Sequence, residues 1–495
     1  MTRPDPSPAA PPPAPWLPAL ALGGAAAIAY ALLQGERRHE FDLYWILPRL
    51  AAGELDLPRH PLALPCIEAL TRVMPGGSLL ERWQLACALA TAAAVTMYTL
   101  AAFAVRRDRR QALVVGAVTA VLPATVHFAT CAEMHGVFQP FAAAALWQLG
   151  RIAGEPAAGW RWPSAAGLGL LTGLATSVHA TGALLVPLAV VWLVSVAWRA
   201  SWRRAGLAVF ALVVAHAAVV GAVGWLVLPA GEPAAAAAQW QWLLSQGGGL
   251  GALPAMVAGE WLWPFLPVSV LWLLALGGRE RRLAVGFAGV LAAYLGVSQL
   301  LLVFPGIGYE FHESGAYLLP LGCVAAGLAV ATLPAALRPW LVVLAALVTV
   351  VDLVLAPATP IRREFGRVAA ARLRAGERLL VADDGQFDGA FDAVFAAAAL
   401  RARLGELLGV PQFVLEVRQR VGLGVDAGAL ALWFHPQVAG RATVVTDAAL
   451  AELRAFGGVF AELVDRALPA LFAFVRVDEG PPGPDGLHGV RLQPR

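Results

Sequence analysis

The sequence predicts an all-α polytopic membrane protein that ends in a small α/β domain. Three observations carry that expectation. Hydrophobic residues make up 59% of the 495-residue chain and charged residues only 14%, whereas a soluble domain usually carries about a quarter charged residues. Apolar runs recur that are long enough to cross a bilayer core of ~30 Å. From residue 357 onward charges become frequent and the apolar runs shorten.

The long runs are continuous and rich in Leu and Ala rather than alternating. Backbone groups in lipid must be satisfied within the segment or within a closed barrel, and the absence of alternation selects helices. About eleven spans are expected, at 16–34, 84–104, 112–128, 136–150, 165–178, 183–198, 206–228, 261–277, 283–304, 316–333 and 339–356. The Pro/Ala-rich stretch 1–15 reads as disordered. No basic flank or small-residue cleavage site accompanies the first apolar run, so it reads as a retained span. Residues 16–356 form the membrane domain, with a long first outer loop at 35–83, and 357–495 form the terminal domain.

Arginine supplies all the positive charge, and the net charge of +3 is too small to suggest a nucleic-acid partner. Four cysteines (Cys66, Cys87, Cys131 and Cys323) lack metal-type paired spacing. With a cytoplasmic N-terminus, the inner connections hold Arg106, Arg107, Arg109, Arg110, Arg151, Arg161, Arg199, Arg203, Arg204, Arg279, Arg281, Arg282 and Arg338. After the second span the outer connections hold no Arg, but Glu133, Glu232, Glu260, Glu310 and Glu313. This asymmetry follows the positive-inside rule and, with an odd span count, puts the terminal domain outside. In that domain 378–383, 442–447 and 472–477 read as strands, and 388–409 and 448–456 as helices. Strands alternating with helices make a small α/β domain.

The first outer loop departs from the charge rule, with Arg37, Arg38, Arg49, Arg59, Arg72 and Arg82 on the outer side. Its apolar residues Tyr44, Trp45, Leu47 and Leu50 suit one face of an interfacial helix. Glu40 and Asp42 stand at that helix's start, where a carboxylate either caps the helix or serves chemistry. The Arg surplus is either solvated charge or a phosphate-binding set, which guanidinium geometry suits. Glu133, between two spans, either sits at the headgroup level or faces a cavity. His179, between two apolar runs, is either interhelical glue or a ligand contact. His312 and Glu313 lead into a late span. Each residue alone is weak. Together Glu40, Asp42, Glu133, His179, His312 and Glu313 fall on one side of the membrane, which suggests an outward-facing active site at the bilayer interface.

In order, these segments resemble the GT-C superfamily of membrane glycosyltransferases, in particular its protein-mannosyltransferase-like and lipopolysaccharide-core-transferase-like branches. The resemblance spans roughly 16–360. It is carried by Glu40-Phe-Asp42, His60-Pro61-Leu62, Ala132-Glu133-Met134-His135, the stretch from Gly173 to His179, and His312-Glu313 with Tyr317 to Pro320. Three motifs depart from the common form: the acidic pair of the first motif is often spaced differently, so Glu40 and Asp42 compete for the main role; Met134 and His135 follow the acid where Tyr is usual; and His60-Pro61 shortens a His-Pro-Pro.

The resemblance implies a bacterial inner-membrane enzyme of the glycosyltransferase type (EC 2.4), with its active site and terminal domain extracytoplasmic. It implies an inverting transfer of a sugar from a polyprenyl-phosphate donor to a lipid, glycan or protein acceptor. Asp42 is then the general base, with Glu40 next. Glu133 orients the acceptor or, with Asp42, helps hold a divalent cation (Mg or Mn) that some members use. Arg59, Arg49 or Arg38 stabilises charge developing on the phosphate. His60, His179 and His312 are further polar contacts, and Glu313 lines the same cavity. Two other readings compete: a lipid or glycan transporter or flippase, and a non-catalytic membrane assembly protein. A transporter predicts ionisable residues deep in the spans; the expected spans are interrupted mainly by Gln148, His216 and Gln299.

Overall fold

A computed structural model of the chain describes residues 15–34, 46, 50, 53, 55, 60–77, 79–154, 162–197, 202–227, 250–302, 315–355, 362–382, 386–387, 407–410, 413–414, 417 and 425–495. Up to residue 355 every regular element described is helical. The principal helices are Trp16–Leu33, Ala63–Val73, Leu79–Arg106, Arg109–Ala120, Pro123–Thr130, Met134–Ala153, Trp162–Val178, Leu185–Ala197, Trp202–Val227, Arg281–Leu302, Leu319–Thr332 and Arg338–Leu355.

Each expected span falls on one of these helices or on a broken helical stretch between 253 and 277. Five are long and apolar enough to cross a membrane by length and composition: Trp16–Leu33, Leu79–Arg106, Trp202–Val227, Arg281–Gln299 and Arg338–Leu355. The pair Arg109–Ala120 and Pro123–Thr130, bent by 59°, makes a sixth if read as one span. Local chemistry accounts for the bend. Asp108 caps the first helix by accepting from the Arg110 and Gln111 N–H groups, and Pro123, at the first turn of the second, lacks the N–H needed to continue the first.

Lipid-facing surfaces are recognisable by what they leave exposed. Trp225 is 84% exposed, and Trp340, Leu344, Leu347 and Val354 also project outward from their helix. Water would penalise so broad an apolar band, while a bilayer accepts it. The chain is accordingly an integral membrane protein. Inside the bundle small residues let the helices approach closely, as expected where no hydrophobic effect drives helices together. A Cβ at Gly136 would lie 2.6 Å from the Phe128 carbonyl oxygen and 2.8 Å from Cys87 Cβ. Only glycine lets Met134–Ala153 sit that near Leu79–Arg106.

Beyond the bundle, a five-stranded sheet has the order β2-β1-β3-β5-β4, with β1 Arg378–Val381, β2 Leu407–Gly409, β3 Thr443–Thr446, β4 Phe472–Glu479 and β5 Leu487–Pro494. β2, β1 and β3 run parallel, with Leu379 beside Leu407 and Val444, and β5 pairs antiparallel with β3 and β4. Alternation along the strands sorts the two faces. Leu379, Val381 and Val444 join Phe365, Ala369 and Leu373 of the helix Arg363–Arg374, while Leu380 and Val445 face Phe413, Phe434, Leu453 and Phe460.

The first of these cores is shared with the helical bundle: it also contains Ile46, Leu50, Leu64, Ile67, Trp83 and Met134. The sheet domain is therefore packed onto one end of the helices. Ile46 and Leu50, four residues apart and both helical, are buried there, the spacing of one helix face. Tyr44, Trp45 and Leu47 lie outside the described residues. The expected helix 388–409 needs correction at its end, because 407–409 is strand β2, in register with β1; Leu-Leu-Gly is too short and apolar to declare its type by periodicity. Strand β5 was not anticipated. Its run Leu-His-Gly-Val-Arg-Leu mixes charge and glycine, and only pairing with β3 and β4 makes it a strand.

Candidate functional site

The core end of the bundle gathers four segments that are distant in the chain. The first centres on Glu133. Its backbone is extended, and its side chain caps the helix Met134–Ala153: Oε1 accepts from the Met134 N–H at 2.7 Å. The same oxygen lies 3.0 Å from His135 Nδ1. Both side chains are buried, at 0% and 1% exposure. The Cys87 thiol donates to the Glu133 carbonyl at 3.2 Å, tying the turn to the helix Leu79–Arg106. The Glu133 carboxylate is enclosed by protein.

His179 supplies the second segment. It ends the helix Trp162–Val178 and caps the tight turn Ala180–Leu184, where the Thr181 N–H donates to Nδ1 at 3.4 Å and the Thr181 hydroxyl lies 2.7 Å from the same nitrogen. The third segment is His60-Pro61-Leu62. The Ala180 N–H donates to His60 Nδ1 at 3.1 Å and the Leu62 N–H donates to the Ser177 carbonyl at 2.9 Å, so this piece of the first loop is pinned to the His179 turn.

The fourth segment brings Tyr317. Gly315 holds φ +82°, and its N–H donates at 2.8 Å to Oε2 of Glu260, a carboxylate only 1% exposed in a π-helical turn. A Cβ on Gly315 would meet Phe265 at 2.7 Å. The turn Ala316–Leu318 then sets Tyr317 against the histidines.

Ring geometry shows how tightly the segments meet. His60 stacks on His179 with centroids 4.3 Å apart and 14° between planes. His135 lies 4.3 Å from His179 with the ring planes tilted by 51°. Tyr317 stands 5.6 Å from His135 and 5.7 Å from His179. Glu133, His135 and His179 are buried, while His60 and Tyr317 are half-buried and form the accessible side. The cluster can offer a buried carboxylate, imidazole nitrogens and flat ring faces to a polar ligand entering from that side.

Of the residues expected from the sequence, the structure brings together Glu133, His60 and His179. Glu40, Asp42, Arg38, Arg49, Arg59, His312 and Glu313 lie outside the described residues. His135, Tyr317 and Glu260 were not singled out as site residues. His135 and Tyr317 stood inside motifs already noted, and Glu260 stood among the outer acids, so the signal was present but nothing in the sequence distinguished them.

The expected divalent cation does not find a holder among the described residues: no group of three or more His, Cys, Asp or Glu is arranged for one. His60 and His179 stack face to face, which does not point their ring nitrogens at a common centre.

An apolar crevice lies elsewhere, lined by Arg106, Trp192, Leu283, Cys323 and Leu328 among others. It is about 28 Å from the cluster, counting from Cys87 to Arg106 at ~1.5 Å per residue.

No protein-family model matches the sequence, and no curated protein matches it. Solved structures do match. ArnT from Cupriavidus metallidurans bound to undecaprenyl phosphate aligns with a TM-score of 0.54 at 15% identity, covering 96% of this chain and 97% of ArnT. The same protein in its apo state gives 0.54 at 14% identity, with the same coverage. The Archaeoglobus fulgidus oligosaccharyltransferase, in complex with Zn and sulfate, gives 0.51 at 11% identity, covering 95% of this chain and 72% of that one. At these identities the likeness is one of fold.

Proposed function

We propose that this GT-C-fold chain is a membrane glycosyltransferase that moves a sugar from a polyprenyl-phosphate donor to an extracytoplasmic acceptor. One observation carries the reading: Glu133, His60 and His179, expected as site residues from motifs far apart in the chain, meet in one partly open cluster. A fold shared with a protein that binds undecaprenyl phosphate supports the donor class. The outward orientation rests on the Arg distribution, with Arg106, Arg151, Arg279 and Arg338 at inner connections and Glu133 and Glu260 at outer ones.

In this reaction the acceptor oxygen attacks the anomeric carbon from the face opposite the phosphate. The carbon–oxygen bond to the phosphate breaks, and its electron pair leaves with the polyprenyl phosphate. The acceptor proton passes to a carboxylate, which we assign to Asp42, with Glu40 as the neighbouring alternative. Arg59, Arg49 or Arg38 meets the charge gathering on the leaving phosphate. Glu133, fixed by its bonds to the Met134 N–H and His135, holds the polar wall of the site in place. His312 and Glu313, just upstream of Gly315 in the chain, are assigned as further substrate contacts.

Purified protein in lipid nanodiscs, supplied with undecaprenyl-phosphate-linked sugars, tests the reading. Transfer to an endogenous envelope fraction, lost in Asp42→Asn with folding retained, supports it. Transbilayer movement of the lipid without any transfer favours the flippase instead.

A further inference from the structure

Two buried polar groups on the helix Met134–Ala153 have no hydrogen-bond partner among the described residues: His135 Nε2 and Gln139 Nε2. Both residues are 1% exposed. Positions i and i+4 share a helix face about 5–6 Å apart. Leaving such a group unmet in the interior costs about 1–3 kcal/mol, so an unfilled pair beside the cluster asks what it is for.

The bonds around His135 fix its chemistry. Nδ1 faces the Glu133 carboxylate at 3.0 Å, which can only accept, so Nδ1 carries the hydrogen. Neutral imidazole then has a bare lone pair at Nε2. Its ring neighbours are His179, Tyr317 and Phe128, and none donates to that nitrogen. Gln139 contributes the complementary group, an N–H donor. An acceptor and a donor a helical turn apart, next to flat ring faces, suit a ligand whose hydroxyls both give and accept hydrogen bonds.

We propose that His135, held by Glu133, accepts a hydrogen bond from a substrate hydroxyl through Nε2, with Gln139 donating to a neighbouring oxygen. The ligand class is a polyhydroxylated ring, either the donor's sugar or the acceptor's. This rests on the transferase reading and assigns to it a specificity-determining pair that the sequence motifs did not.

The test uses the full-length protein in nanodiscs and four probes: undecaprenyl phosphate alone and the same lipid carrying glucose, mannose or arabinose. His135→Asn keeps an amide donor near Glu133 but removes the outer nitrogen, whereas His135→Gln places an amide near the outer position. The wild type is expected to prefer at least one glycosylated lipid about 10-fold, the worth of one or two buried hydrogen bonds. His135→Asn loses that preference and His135→Gln recovers part of it, with unchanged affinity for undecaprenyl phosphate. Gln139→Met, which changes volume little, lowers the same ratio and keeps the test open if His135→Asn does not fold. Unchanged donor binding with lost transfer in His135→Asn places the hydroxyl on the acceptor instead. If His135→Asn retains both the wild-type preference and wild-type transfer, the proposal is overturned while the transferase reading stands. If the wild type binds none of the four lipids, the transferase reading falls and the proposal with it.

Discussion

Glu133→Ala removes two contacts of the carboxylate. The Met134 N–H at 2.7 Å loses its cap and His135 Nδ1 at 3.0 Å loses its partner, in surroundings that exclude water. A lost cap costs about 1 kcal/mol, and an unmet buried donor that had a charged partner costs about 1.5–3 kcal/mol. The sum is about 2.5–4 kcal/mol of destabilisation, read as a shift in an unfolding titration in mixed micelles. Glu133→Gln separates structure from chemistry. Its carbonyl oxygen still caps the Met134 N–H, so most of the stability returns, but the charge that fixes the His135 tautomer is gone. The expected outcome is a nearly wild-type unfolding curve with transfer reduced at least 10-fold. A Glu133→Ala protein as stable as wild type would refute the capping geometry, and full activity in Glu133→Gln would refute the role of the charge.

Gly315→Ala forces a side chain into a left-handed backbone at a cost of about 1–2 kcal/mol and against the Phe265 ring; its displacement of Tyr317 should lower transfer more than Gly327→Ala, where the added methyl meets nothing. Glu260→Gln retains bulk but weakens the bond to the Gly315 N–H, and a raised KM with stable protein is the expected result. In the sheet domain, the hydrogen bonds that the His488 ring donates to the Asp478 carboxylate and to the Pro481 carbonyl raise its pKa above the ordinary 6.5. A raised folded-state pKa stabilises fully below the unfolded value and is lost as pH climbs through the folded one, so stability should decline on moving from below pH ~6.5 to well above it. His488→Gln flattens that dependence in a pH series of thermal midpoints.

The helical bundle was legible because span length and continuous apolarity are one-dimensional properties; every expected span overlaps described helical backbone, and five helices, or six with the bent pair, are long and apolar enough to cross a membrane. Strands β1, β3 and β4 were legible from short apolar runs between polar flanks. β2 and β5 were not, since Leu407–Gly409 and Leu487–Pro494 are strands only through partners elsewhere in the sheet. At the site, Glu133 and His179 could be named because a polar residue flanking an apolar run is conspicuous, and His60 only through the family motif His60-Pro61-Leu62. Their mutual stacking was invisible, as it depends on how the His60 loop is pinned by the Ala180 and Leu62 backbone bonds. Glu260 is the clearest omission. Its function is to hold the Gly315 N–H 55 residues away, a relation no local pattern encodes.

Soaking the protein with undecaprenyl phosphate in nanodiscs and solving the complex is the most direct test of the whole account. The phosphate should lie at the half-buried side of the cluster, beside His60 and Tyr317, with the prenyl chain running outward into lipid. A headgroup seated instead in the Arg106–Trp192 crevice at the far end of the bundle, with the histidine cluster empty, would contradict it.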